Sequence, residues 1–229
     1  MKTAGRVVVA AVALVLASPL PAACSSNPST PSVTTQPNSS SSTSSSTSSS
    51  TSPSTSPRPT SSTPNGSVLA PAGNADQASP VDGISCNTNE QLALHIHAHL
   101  AIYVNGAPKL LPPGIGIGPP LQFEQTSSGP SVASGSCFSW LHTHDSSGVV
   151  HIESPVQRVY TLGDFFDIWG QPLSATQVGP AQGAATATVN GNPFTGDPRG
   201  IPLDADNVIQ LDVGSALPPP QPYTFPSGL

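Results

Sequence analysis

From Leu92 to Val104 the chain alternates without a break. Leu92, Leu94, Ile96, Ala98, Leu100, Ile102 and Val104 hold the even positions, and Ala93, His95, His97, His99, Ala101 and Tyr103 the odd ones. Successive side chains of a β-strand point to opposite faces, so a period of two over this length predicts a strand with its apolar face on a core. The three imidazoles then share the other face. A helix would turn His97 away from His95 and His99 and leave the alternation without a cause. Asn105-Gly106 follows directly and signals a two-residue hairpin turn, with a partner strand near Lys109.

The remaining histidines fall in one further window, Trp140-Leu-His142-Thr-His144-Asp145-Ser-Ser-Gly148-Val-Val-His151-Ile-Glu153, so all six lie in two short stretches. Asp-Ser-Ser-Gly is a turn composition. With Ser146 and Ser147 at the tip, His144 faces Val149, His142 faces His151, and Trp140 faces Glu153 on one side of a hairpin. Opposed Cβ atoms in such a ladder are about 4.5–5.5 Å apart, so His142 and His151 are expected to touch.

Neutral imidazoles gathered on one sheet face suit a borderline divalent ion, held at about 2.0–2.1 Å by ring nitrogens. Alternate residues of a strand are about 6.6 Å apart and those four positions apart about 13 Å. His95 and His99 are therefore not expected to share an ion. The expected site takes two of His95, His97 and His99 and completes its shell with His142, His144 or His151; a second ion, or an orienting role for the rest, is equally open. Asp145 and Glu153 are the acids placed to orient a ring N–H or to carry a proton, and they are the candidate catalytic residues. The only methionine is Met1 and the cysteines are expected to pair, so soft ligands for Cu(I) are lacking. Zn²⁺ and Cu²⁺ are the expected cofactors, with Fe and Mn behind them for want of a ligating carboxylate.

Three cysteines are present. Cys24 belongs to the N-terminal region considered next, which leaves Cys86 and Cys137 as an expected disulfide in an oxidising compartment, with thiolate ligation as the alternative. That bond links the segments just ahead of the two histidine stretches.

Lys2 and Arg6, the apolar run Val7–Leu16, and Ser18-Pro-Leu-Pro-Ala-Ala-Cys24 follow the order of a secretory signal over residues 1–23. About ten apolar residues are too few to span a bilayer, which takes roughly 20. Ala22-Ala23-Cys24 resembles a bacterial lipobox, with Pro21 standing where that pattern usually has Leu. The resemblance implies a lipidated Cys24 and a location on the outer face of the cell membrane; cleavage as an ordinary secreted protein is the alternative. Residues 24–80 are rich in Ser, Thr and Pro and are expected to form a disordered stalk, because they bury too little apolar surface to offset chain entropy. The expected domain, 81–229, holds eleven acids against three bases, a net charge of −8. Such a surface disfavours a nucleic-acid partner.

Within the domain, Thr161-Leu-Gly-Asp164-Phe-Phe-Asp-Ile-Trp169-Gly170 reads as a short helix with a capping box and a terminating glycine. Leu162, Phe165, Phe166 and Trp169 form its apolar stripe. Ala185–Val189 before Asn190-Gly191, and Asn207–Val213 before Gly214, read as strands. The expected fold is mostly β (α+β): histidine-bearing antiparallel hairpins with one short helix, β-grasp-like or a small sandwich or barrel.

The His-x-His strand with a further histidine on a neighbouring strand is similar to the metal site of α-type carbonic anhydrases and to the opening of cupin motifs. Where the cupin pattern expects a Glu, this chain has Ile102, Tyr103 and Val104. His142–Glu153 and Thr161–Gly170 resemble stretches of uncharacterised exported bacterial proteins, a likeness that implies no activity. Three functions are consistent with these residues. The first is an extracytoplasmic, membrane-tethered protein that binds Zn²⁺ or Cu²⁺ through the histidines. The second is a metal-dependent hydratase or hydrolase with a three-histidine open site, and the third a structural or interaction domain stapled by a metal. Protein partners are not legible.

Overall fold

A computed structural model describes residues 66–76 and 78–229, all within the compact unit Pro57–Leu229. The signal segment, Cys24 and most of the expected stalk lie outside the described residues.

In chain order the elements are β1 (Ser67–Val68), β2 (Cys86–Asn87), β3 (Leu94–Val104), β4 (Ala107–Leu110), β5 (Gln122–Thr126), β6 (Gly129–Ser134), β7 (Phe138–Ser139), β8 (Leu141–His142) and β9 (Val149–Ser154). Helix α1 (Leu162–Trp169) follows, then β10 (Leu173–Ser174), β11 (Gln177–Val178), β12 (Ala181–Gln182), β13 (Ala185–Val189), β14 (Asn192–Phe194) and β15 (Val208–Val213). Among the described residues the fold is mostly β with one short helix, and its sheets are open rather than closed into a barrel.

The long strand β3 organises the main sheet. Its first half pairs antiparallel with β9, and its last residues pair antiparallel with β4 through a turn at Asn105-Gly106, both with positive φ as the tight hairpin requires. Along its other edge β3 pairs in parallel with β15, which pairs in turn with β13 and then β14. The alternation read from sequence is realised: Ala98, Leu100 and Ile102 are buried in the core, and the histidines emerge on the opposite face.

Helix α1 covers the core side. Thr161 caps it by accepting from the Asp164 N–H, Asp164 accepts from the Thr161 N–H, and Gly170 ends it in the left-handed region at φ 70°. Leu162, Phe165, Phe166 and Trp169 are buried against Leu100, Ile102, Ile152 and Leu211 in one cluster. Thr161→Ala removes the side-chain cap, and a loss of about 1 kcal/mol is expected in the urea unfolding of the metal-free protein.

The fold starts upstream of the boundary expected at Val81. Strand β1 pairs in parallel with β4, Leu69 and Ala70 join the core, and the Trp169 indole N–H donates to the Pro71 carbonyl at 2.7 Å. Ser67-Val68-Leu69-Ala70 is too short to show periodicity, and its apolar surface finds a place only once α1 and β4 are folded.

Candidate metal centre

Three strands lie side by side in the order β8, β9, β3, and their registers build a grid of functional side chains. His142 stands opposite His151, and His151 opposite His97. One row lower, Glu153 stands opposite His95, while the Glu153 N–H donates to the Trp140 carbonyl at 2.8 Å. The contact between His142 and His151 expected from sequence is present, with the rings stacked at a centroid distance of 5.3 Å. The strand β9 carrying His151 and Glu153 thus sits between the two other histidine-bearing strands.

The turn works because of Gly148. Its φ is +89°, and a Cβ there would lie 2.6 Å from the Leu100 carbonyl. The Gly148 carbonyl instead accepts from the Leu100 N–H at 2.8 Å, which draws the start of β9 against β3.

His144 departs from the expected pairing with Val149. Its carbonyl accepts from the Val132 N–H at 2.8 Å, and its Nδ1–H donates to the Val132 carbonyl at 2.6 Å. Thr143 is held by Ile115 and Gly114 on the same side. The backbone after His142 is therefore claimed by β6 and the 114–115 loop, and Val149 stands opposite His99 instead.

Three overlapping groups place possible ligand atoms within 4.8 Å of one another: His95, His97, His151 and Glu153; His142, His144 and His151; and Glu90, His142 and Glu153. Five of the six histidines take part. His99 does not. Its Nε2–H donates to the Ser147 carbonyl at 3.1 Å and its ring stacks on Tyr223 at 3.7 Å, so it fastens the segment around Tyr223 beside the site. Asp145 also stands apart, its Oδ1 accepting from the Ser147 N–H at 2.9 Å within the turn. The geometric expectation that His95 and His99 would not meet holds, and the pair on β3 that meets is His95 and His97.

Glu90 has no counterpart in the sequence reading. It lies in the irregular segment between β2 and β3, where no periodicity marks it. The Cys86–Cys137 disulfide, the β2–β7 pair and a 2.7 Å bond from the Trp140 indole N–H to Asn87 Oδ1 hold that segment over the site. Glu90 Oε1 then lies 3.4 Å from His144 Nε2 and 3.9 Å from His142 Nε2. With Glu90 and Glu153 both in the cluster, the expected lack of a ligating carboxylate is corrected: the site offers nitrogen and oxygen donors together.

The tautomers of two rings are fixed by the backbone. His142 Nδ1–H donates to the Ser139 carbonyl at 2.9 Å, and His144 Nδ1–H to that of Val132. Each neutral ring therefore presents a bare Nε2, and these two nitrogens lie 3.1 Å apart. Two lone pairs at that distance repel, and only a cation between them, a metal ion or a proton, satisfies both. Ligands of a four-coordinate ion at 2.0–2.1 Å sit roughly 3.3 Å from one another.

Burial discourages a proton on His142. His142 is fully buried, and that burial, with His151 and His144 nearby, pushes its pKa down to about 3. Burial and the neighbouring His151 and His95 bring His97 to about 4, and burial alone lowers His99 to about 4. Burial by itself would raise the Glu153 carboxyl, but the hydrogen bond from His151 and the rings of His142, His151 and His95 outweigh it and hold the group below its ordinary value.

These shifts set the acid response of the metal-free protein. An unfolded histidine titrates near 6.5, so between 6.5 and 4 the unfolded chain binds more protons than the fold, and stability rises with pH. The contribution of these rings is complete above about 6.5 and is lost as pH falls toward 4, and toward 3 for His142. Urea midpoints of chelator-treated protein are expected to drop steadily from pH 6.5 to 4.5; a flat profile would contradict the buried neutral rings.

Beside the centre lies a cavity of about 970 Å³, with His144, His151, Val132, Asp145 and Tyr223 in its wall. It gives the cluster a route to solvent. Among the described residues no helix is long and apolar enough to cross a membrane. No protein-family model, curated protein or solved structure matches the chain.

Proposed function

We propose that this chain is an exported protein, tethered to the outer face of the cell membrane by a lipidated Cys24, that binds a divalent ion, Zn²⁺ or Cu²⁺, through its histidine–glutamate cluster. The observation that carries the reading is the facing pair of bare Nε2 atoms on His142 and His144, both rings locked by backbone carbonyls. Locking a ring through its second nitrogen is how metal-binding histidines are oriented and made more basic. The net charge of −8 over residues 81–229 further favours capture of cations. The Cys86–Cys137 disulfide fits an oxidising compartment.

The test is the metal content of protein purified without a histidine tag, followed by titration of the stripped protein. Retention of Zn or Cu by the purified chain, and recovery of tight binding after stripping, are expected. Absence of bound metal, together with no binding at micromolar concentrations of either ion, would sink the reading. Tethering is tested apart from binding: Cys24→Ser is expected to move the protein from the membrane fraction to the medium, and unchanged fractionation would remove the anchor.

The cavity at His144 and His151 favours a second reading, a metal-dependent hydratase or hydrolase. There an ion with an open position would lower the pKa of a bound water toward 7. Metal-loaded protein that leaves activated esters and CO₂ untouched at neutral pH would exclude these reactions.

A further inference from the structure

The geometry points to a centre for two divalent ions, bridged by the carboxylate of Glu153. This inference rests on the metal-binding reading above and specifies its stoichiometry and its bridging group. Glu153 is 3% exposed, and its two oxygens look into different donor sets. Oε1 lies 3.3 Å from both His95 Nε2 and His151 Nδ1, and His151 Nδ1 is itself 3.1 Å from His97 Nε2. Oε2 lies 3.9 Å from His142 Nε2, on the side where His142, His144 and Glu90 converge. The β3 side therefore offers His95, His97 and His151, the other side His142, His144 and Glu90, and each meets one Glu153 oxygen.

Oε2 is the independent sign of the second ion. It is buried and has no hydrogen-bond partner. A buried carboxylate oxygen left unpaired is strongly disfavoured. A cation on the His142 side would satisfy Oε2 and separate the two facing Nε2 lone pairs at the same time. A single ion on the β3 side would leave both unresolved. His151 belongs to both donor sets, but its Nδ1 is committed beside His97 and Oε1, so Glu153 is the group that presents a separate atom to each side. Carboxylate-spanned pairs of this kind hold their ions about 3.5–4 Å apart. The mixed imidazole and carboxylate shell suits first-row divalent ions such as Zn²⁺ and Cu²⁺.

The experiment is a titration of the stripped mature chain with Zn²⁺, with bound metal counted by elemental analysis, and with Cu²⁺, followed by electron paramagnetic resonance. The wild type is expected to take two ions, and the second equivalent of Cu²⁺ to lower the signal per ion through magnetic coupling. Glu153→Gln, which keeps the side-chain shape, is expected to lose the coupling and to weaken one equivalent at least tenfold. His95→Ala serves as a second variant in case the buried substitution fails to fold, because the His95 side chain is 43% exposed. It is expected to leave one ion, bound on the His142 side. One ion in the wild type, or two uncoupled ions insensitive to Glu153→Gln, would overturn the bridge while leaving metal binding intact. No ion at all would overturn both readings together.

Discussion

Replacing His97 and His142 together with alanine lowers the affinity of each donor set by a factor on the order of 10², measured by competition with a chromophoric chelator. Structural Zn²⁺ sites bind with about 10–16 kcal/mol, or roughly 3 kcal/mol for each of four ligands, which is about a hundredfold per ligand lost. The two rings belong to different donor sets, so the double variant removes a ligand from each. Their losses are expected to add more closely than those of ligands on one ion. Outside the cluster the His142 ring meets the Ser139 carbonyl and the edge of Phe138, and His97 faces His151. The variant should keep its far-UV circular dichroism, and unchanged affinity in a folded double variant would remove these residues from the site.

Removing the disulfide by Cys86→Ser with Cys137→Ser is expected to lower stability by about 4 kcal/mol. The bond spans 51 residues, and closing a loop of that size restricts the unfolded chain by about this amount in the chain-entropy account. For a domain of this length the melting temperature should fall by about 10 °C. A second effect follows from where the bond sits. Cys86 anchors the segment that carries Glu90 over His142 and His144, so the reduced protein should also bind metal more weakly on that side. Glu90→Gln in the oxidised protein is the control. A disulfide-free variant that melts lower but binds as the wild type does would separate the staple from the site.

Local order was the most legible part of this chain. The alternation in β3, the turns at Asn105-Gly106 and Asn190-Gly191, and the capping box of α1 each rest on signals within a few residues of one another. The pairing of His142 with His151 was legible for the same reason, since a hairpin fixes its own register. What escaped depends on contacts distant in sequence. Nothing near His144 announces that Val132 will claim its backbone, and nothing near Glu90 announces its place over the histidines. His99 matches its neighbours in sequence, yet Tyr223 packs on its ring and withdraws it from the cluster. Strand β1 was hidden by composition, because a short apolar run after a Ser/Thr/Pro-rich stretch looks like more of the same.

The parallel pairing of β3 with β15 bears on when the site can exist during synthesis and folding. Strand β15 lies between β3 and β13 in the middle of the main sheet, yet it is the last strand made among the described residues. Until it docks, β3 has one open edge and Leu100 and Ile102 lack the neighbours Ile209 and Leu211. Contacts so distant in sequence form late, since loop closure must precede any gain from them. A chain that lacks β15 thus carries its histidines on a strand with one edge open. The histidine–glutamate grid is thereby complete only after the last strand among the described residues has docked.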